Sequence, residues 1–129
     1  MTVVQRLTLR LPLPPAALSP NARKHYMAKA NAVADARELA RCLAILGRGD
    51  WTPLPGAVYR LTETYCIAGK RRHDVRNLYA AFKAYEDGLV DAGVLLDDSD
   101  AVLVHGAPSI QRVKTKLQGG VLVEIEEVE

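Results

Sequence analysis

KRRHDVRNLYAAFKAYEDGLVDAGVLLDDSD, from Lys70 to Asp100, carries apolar residues at Leu78, Phe82, Tyr85 and Leu89. Steps of three and four residues put these side chains on one face of a helix, so about Leu78 to Ala92 reads as an amphipathic helix. Gly93 stands where its C-terminal cap belongs. On either side the period changes to two. Ala57 to Ile67 alternates Tyr59, Leu61, Tyr65 and Ile67 with Arg60, Thr62 and Thr64, as a strand does, with Glu63 the one polar interruption on its apolar face. Ala101 to Ile110 reads as the next strand.

Working outward, Val3 to Leu13 alternates Val3, Leu7, Leu9, Leu11 and Leu13 with Arg6, Thr8 and Arg10, a half-buried strand that exits through the proline-rich Pro12 to Pro15. Asn21 can cap a helix running to about Leu46, with Val33, Ala36, Leu39, Ala40, Leu43 and Leu46 as its apolar stripe. Val121 to Val128 forms a last strand, reached through a basic loop that ends in Gly119 and Gly120. The predicted order is strand, helix, strand, helix, strand, strand. That order favours one mixed β-sheet with two main helices packed on it, in the α+β or α/β class.

A chain of 129 residues with ordinary apolar and charged fractions has room for one core, so residues 1–129 are expected to form a single domain. It shows neither an export pattern nor a long apolar run, which predicts a cytoplasmic protein without a membrane role. Cys42 and Cys66 have no partner at metal-ligand spacing and read as small buried hydrophobes. Net charge is only +2, but Arg23, Lys24 and Lys29, then Lys70, Arg71 and Arg72, then Arg112, Lys114 and Lys116 form local groups. If they converge they make a phosphate-binding surface; otherwise they are solvated loops.

The chemistry-bearing residues lie around the second helix. Asp74 precedes it, and Asp97 with Asp98 follows it. Each has a structural reading, Asp74 as a helix cap and the pair as a solvated turn. They also have a catalytic one: phosphodiester hydrolysis needs a polarised phosphorus and an activated water, which a hard divalent cation held by carboxylates supplies. The two sides can meet if the helix returns the chain to the same edge of the sheet.

These residues resemble the RusA family of Holliday junction resolvases. In that family a basic run leads into an Asp-x-Asp-Asn-Leu motif, then a helix bearing Lys and Asp, then an Asp-Asp pair. The counterparts are Arg71-Arg72-His73, Asp74-Val75-Arg76-Asn77-Leu78, then Lys83 with Asp87-Gly88-Leu89, and Gly93-Val94-Leu95-Leu96-Asp97-Asp98. Leu11 to Pro15 and Ser19-Pro20-Asn21 are similar to the family's first strand and its exit loop.

The resemblance implies a homodimer, often phage- or prophage-encoded, that nicks four-way DNA junctions with Mg²⁺, or Mn²⁺ in its place. It marks Asp74 and Asp98 as essential carboxylates and metal ligands, Asp97 as the neighbouring acidic position, and Lys83 as the catalytic lysine, the last with about three extra residues after Asn77. Arg71, Arg72, His73 and Arg76 are the residues for gripping DNA phosphates.

Arg76 departs from the family pattern, putting a cation where the second Asp stands. Three arrangements are open: Mg²⁺ on Asp74 and Asp98 with more waters, a third carboxylate from Asp97 or Asp100, or no productive site. A non-catalytic branched-DNA-binding relative is therefore the alternative, and a protein-interaction domain is a third class. His25 and His105, isolated in sequence, are given no metal role. Core packing is the better reading for most aromatic residues, although Tyr26 and Tyr79 flank basic groups.

Overall fold

The computed structural model describes residues 5–20 and 26–128. The expected strand start at Val3, the helix cap at Asn21, and Arg23, Lys24 and His25 lie outside the described residues. The strands are β1 (Arg6–Leu11), β2 (Val58–Ala68), β3 (Leu103–His105), β4 (Ser109–Val113) and β5 (Gly120–Val128). The helices are α1 (Tyr26–Gly47), α2 (Val75–Ala81) and α3 (Lys83–Asp91).

All five strands form one mixed sheet. β1 pairs antiparallel with β5, and β5 antiparallel with β2. The other edge of β2 pairs parallel with β3 along its first half and with β4 along its second. A parallel pair needs a crossover, and α2 with α3 supplies it.

Alternation in sequence becomes a two-faced sheet. Leu7, Leu9 and Leu11 on β1, Val121, Val123 and Ile125 on β5, and Tyr59, Leu61, Tyr65 and Ile67 on β2 are buried together. The register lines up Leu9, Val123 and Glu63 in one row, so a carboxylate occupies a position in the apolar face. The opposite face is solvated and carries a charge ladder in which Glu126 accepts from Arg6 at 2.9 Å and from Arg60 at 3.4 Å.

The helices depart from the sequence reading in two ways. Around Phe82 the expected single helix divides into α2 and α3, although Phe82 keeps helical angles and its N–H still bonds Leu78 and Tyr79 carbonyls. On α1 the buried residues are Ala36, Ala40 and Ala44, while Val33, Leu39 and Leu46 of the expected stripe are exposed, Leu46 by 81 %. Gly88 on α3 explains the choice of alanine. A Cβ there would lie 2.2 Å from the Arg37 carbonyl oxygen and 2.8 Å from Ala40 Cβ, so α1 and α3 touch through their backbones. Arg37 clamps the crossing through Asp91, at 2.5 and 2.8 Å.

The strand expected over Ala101 to Ile110 is two strands separated at Gly106, whose Cβ position is 2.4 Å from Thr62 Oγ1. Cys66 is buried as expected, but Cys42 is exposed on α1, and both are free thiols. Trp51 anchors the loop after α1 by donating from Nε1 to the Val94 carbonyl at 2.9 Å. No described helix is long and apolar enough to cross a membrane.

Forcing a methyl group into the α1–α3 contact overpacks it. Gly88→Ala is expected to lower unfolding free energy by about 2 kcal/mol or more in urea titration, with the m-value unchanged.

Candidate functional site

The crossover separates the carboxylates that the sequence suggested as partners. β2 delivers Asp74 beyond its C-terminal end, whereas β3 begins alongside the first half of β2, where the Tyr59 N–H bonds the Val102 carbonyl at 2.9 Å. Asp74 caps α2, its Oδ1 accepting from the Arg76 N–H at 2.8 Å. It lines a cavity of about 360 Å³ with Arg71, Arg72, His73 and Asn77. Asp98 lines a different cavity, of about 310 Å³, with Glu63, Tyr79, Lys83, Glu86 and His105. Asp97 turns its Oδ1 to the Asp98 N–H at 2.8 Å. Arg76 is exposed.

Lys83 and Asp98, fifteen positions apart, do come together. Lys83 Nζ lies 2.5 Å from Asp98 Oδ2, 3.0 Å from Asp87 Oδ1 and 3.2 Å from Glu86 Oε2. Burial works against the Lys83 ammonium, but hydrogen bonds to Asp98, Asp87 and Glu86 outweigh it and hold its pKa above the ordinary lysine value. The hydrogen bond from Lys83 in turn keeps the Asp98 carboxyl below the usual carboxylate range.

Beside this exposed pair, a buried glutamate meets an exposed histidine. Glu86, on the inner face of α3 between Phe82 and Leu89, is 2.5 Å through Oε1 from His105 Nε2. His105 reaches this face because it is in register with Leu61. Tyr79 meets its ring edge-on, with centroids 6.1 Å apart.

Glu63 is wholly buried and accepts from the Tyr65 hydroxyl at 2.6 Å through Oε1. Its Oε2 has no hydrogen-bond partner among the described residues. Burial pushes the Glu63 carboxyl up to about 7, against the Tyr65 hydrogen bond and the nearby His105, with Glu86 adding to the rise.

Glu63, Glu86 and His105 were not among the residues the sequence nominated. Glu63 had given a signal, as the polar interruption in an apolar strand face. Glu86 had a weaker one, since it falls inside the apolar stripe of its helix. His105 gave none, because only strand pairing brings it to Glu86.

The Mg²⁺ ligand set drawn from Asp74, Asp97 and Asp98 does not fit this arrangement. Asp74 lines another cavity, and each of the three has an oxygen already engaged within the protein. Among the described residues, no three His, Cys, Asp or Glu side chains stand ready to hold a metal ion.

Two of the basic groups converge. Parallel pairing sets Ile67 of β2 beside Arg112 of β4, so the turn with Lys70, Arg71 and Arg72 and the loop with Lys114 and Lys116 leave the same end of the sheet. Arg112 donates to the Gly69 carbonyl at 3.4 Å. A cavity of about 390 Å³ lined by His73, Lys116 and Gly119 shares Leu13 and His73 with the one holding Asp74, so the two adjoin. Lys29 of the third group lies on α1.

No family model matches the chain. An uncharacterized protein of Xylella fastidiosa (strain Temecula1) is 36% identical over 98 residues, covering 70% of this chain. The chain spans 60% of that relative's length.

A buried carboxyl whose folded pKa, about 7, stands above the ordinary 4.5 binds its proton more tightly in the folded state. The stabilisation is complete below the unfolded value and is lost as pH rises through the folded one. In chelator-treated protein, stability is expected to fall between pH 5 and 7.5 by on the order of 1 kcal/mol per unit at the steepest. Glu63→Gln should remove most of that slope in urea titrations across the range.

Proposed function

We propose that the chain is a metal-dependent endodeoxyribonuclease acting on branched DNA, four-way junctions first among them, with Asp98 and Lys83 at its reacting centre. The observation that carries this reading is the close pairing of Lys83 with Asp98 at the mouth of a carboxylate-lined cavity. The basic end of the sheet supports it, since guanidinium and ammonium groups there suit a phosphate backbone.

A bound divalent cation would polarise the phosphate and lower the pKa of the attacking water. The protein's own part is to orient and to balance charge. Lys83, half exposed, can turn from Asp98 to a phosphate oxygen and stabilise negative charge on it or on the leaving oxygen. Arg71, Arg72 and His73 grip the backbone alongside. Two-fold assembly suits a substrate nicked at two related positions, so a homodimer belongs to the proposal, as does a cytoplasmic setting.

The second reading, a junction binder without catalysis, draws on the engagement of Asp74 as a helix cap and on Arg76 at the position of a family carboxylate. The two separate on a labelled synthetic four-way junction incubated with Mg²⁺ or Mn²⁺, with linear duplex as control. Paired nicks that disappear in Asp98→Asn are expected. Tight binding with an intact junction would select the non-catalytic reading.

Arg71→Ala with Arg72→Ala should weaken junction binding severalfold and shallow its salt dependence by about two phosphate contacts, as read by fluorescence anisotropy from 50 to 200 mM salt.

A further inference from the structure

We propose that the cavity bordered by Arg71, Arg72, His73 and Asn77 receives an unpaired nucleobase of a DNA strand, with the two arginines holding the flanking phosphates. This rests on the reading of the basic end of the sheet as a DNA surface and deepens it, naming unpaired nucleotides as what that surface selects.

The cavity has two kinds of wall. Leu13, Pro14, Leu78 and Ala81 supply apolar surface, and Arg71, Arg72, His73 and Asn77 supply polar groups. At about 360 Å³ it has the size and the mixed lining of sites that enclose a small ring, apolar with a few polar groups to orient it. None of those four polar side chains makes a hydrogen bond or ion pair with another described residue, so all are free for a ligand. The apolar wall is held from both ends. The Tyr85 hydroxyl donates to the Pro12 carbonyl at 3.0 Å, and the Leu18 N–H donates to the Pro15 carbonyl at 2.9 Å. A wall fixed in this way loses little freedom when a ring settles on it.

Asp74 decides which part of a nucleotide enters. It also lines the cavity, so a phosphate inside would face a like charge. The edge of a base meets no such penalty, and the Asn77 amide can both donate to it and accept from it. The phosphates then stay at the rim, where Arg71 and Arg72 are exposed and their guanidinium forks match phosphate oxygens. A base inside a duplex is stacked on both faces and paired along its edge, so it enters such a pocket only after extrusion. An unpaired base at a junction or on a single strand enters without that cost. The adjoining cavity carries Lys116 in its lining, a cation for the next phosphate, which favours a strand over a free nucleotide.

The test is fluorescence anisotropy in chelator-treated buffer. The probes are labelled single-stranded oligothymidylate and a linear duplex of the same length, with thymidine monophosphate as competitor. The single strand is expected to bind on the order of tenfold more tightly than the duplex. Ala16→Leu, at an exposed position in the cavity lining, should cut the single-strand affinity severalfold and leave duplex affinity unchanged, which also shows that the variant is folded. Asn77→Leu should likewise weaken the single strand. Equal affinity for the two probes, or a preference that survives both substitutions, overturns the proposal. Displacement by thymidine monophosphate at the concentrations at which the strand binds also overturns it, since the site then takes a free nucleotide.

No metal is present in this experiment, so its outcome is independent of nicking. Loss of the preference with junction affinity intact removes the cavity site and keeps the DNA reading. A single-strand preference in a chain that leaves junctions intact keeps the cavity site and removes the nuclease reading. Absence of binding to every probe removes both.

Discussion

Glu63 holds a carboxyl group in a row of apolar side chains beneath α2 and α3, and one of its oxygens is unpaired. A carboxylate in that position is unfavourable unless it takes up a proton or gains a cation. The surrounding groups are arranged around this constraint. Tyr65 donates to one oxygen, His105 and Glu86 pair alongside, and Lys83 draws Glu86 and Asp98 together at the mouth. Removing the constraint would leave an ordinary helix-on-sheet packing layer with no evident use for the polar groups inside it.

The frame that positions this cluster depends on close backbone approach. Gly88 lets α3 settle on α1, which fixes the face of α3 turned to the sheet and brings Glu86 inward with Tyr85 and Leu89. The parallel pairing of β3 with the first half of β2 sets His105 opposite Glu86. Pairing of β4 with the second half gathers Arg112, Lys114 and Lys116 beside the basic turn. The same strand therefore organises an acidic cavity along its middle and a basic surface at its end.

Much of the fold was legible because strand alternation and helix period survive in the residues themselves. β1, β2 and β5 follow their alternating apolar positions closely. On α1 the expected Ala36 and Ala40 are buried, but Val33, Leu39 and Leu46 of the same stripe are not. Hydrophobicity favours leucine, whereas the backbone contact at Gly88 beside Arg37 and Ala40 admits only small side chains. The break at Phe82 has neither Gly nor Pro to announce it, while Gly106 between β3 and β4 answers to Thr62, a residue far away in sequence. For the site, Lys83 and Asp98 were visible through a family likeness. Their separation from Asp74 was not, because it follows from which half of β2 receives β3. A sequence read locally also gives no means of joining His105 to Glu86.

The proposed reacting centre is the Lys83–Asp98 pair and not Asp74. Anomalous diffraction from crystals grown with Mn²⁺ and a short branched DNA tests it most directly. The expected result is an anomalous peak beside Asp98, with Lys83 displaced toward phosphate. A peak held by Asp74, with Lys83 still bound to Asp98, would contradict it.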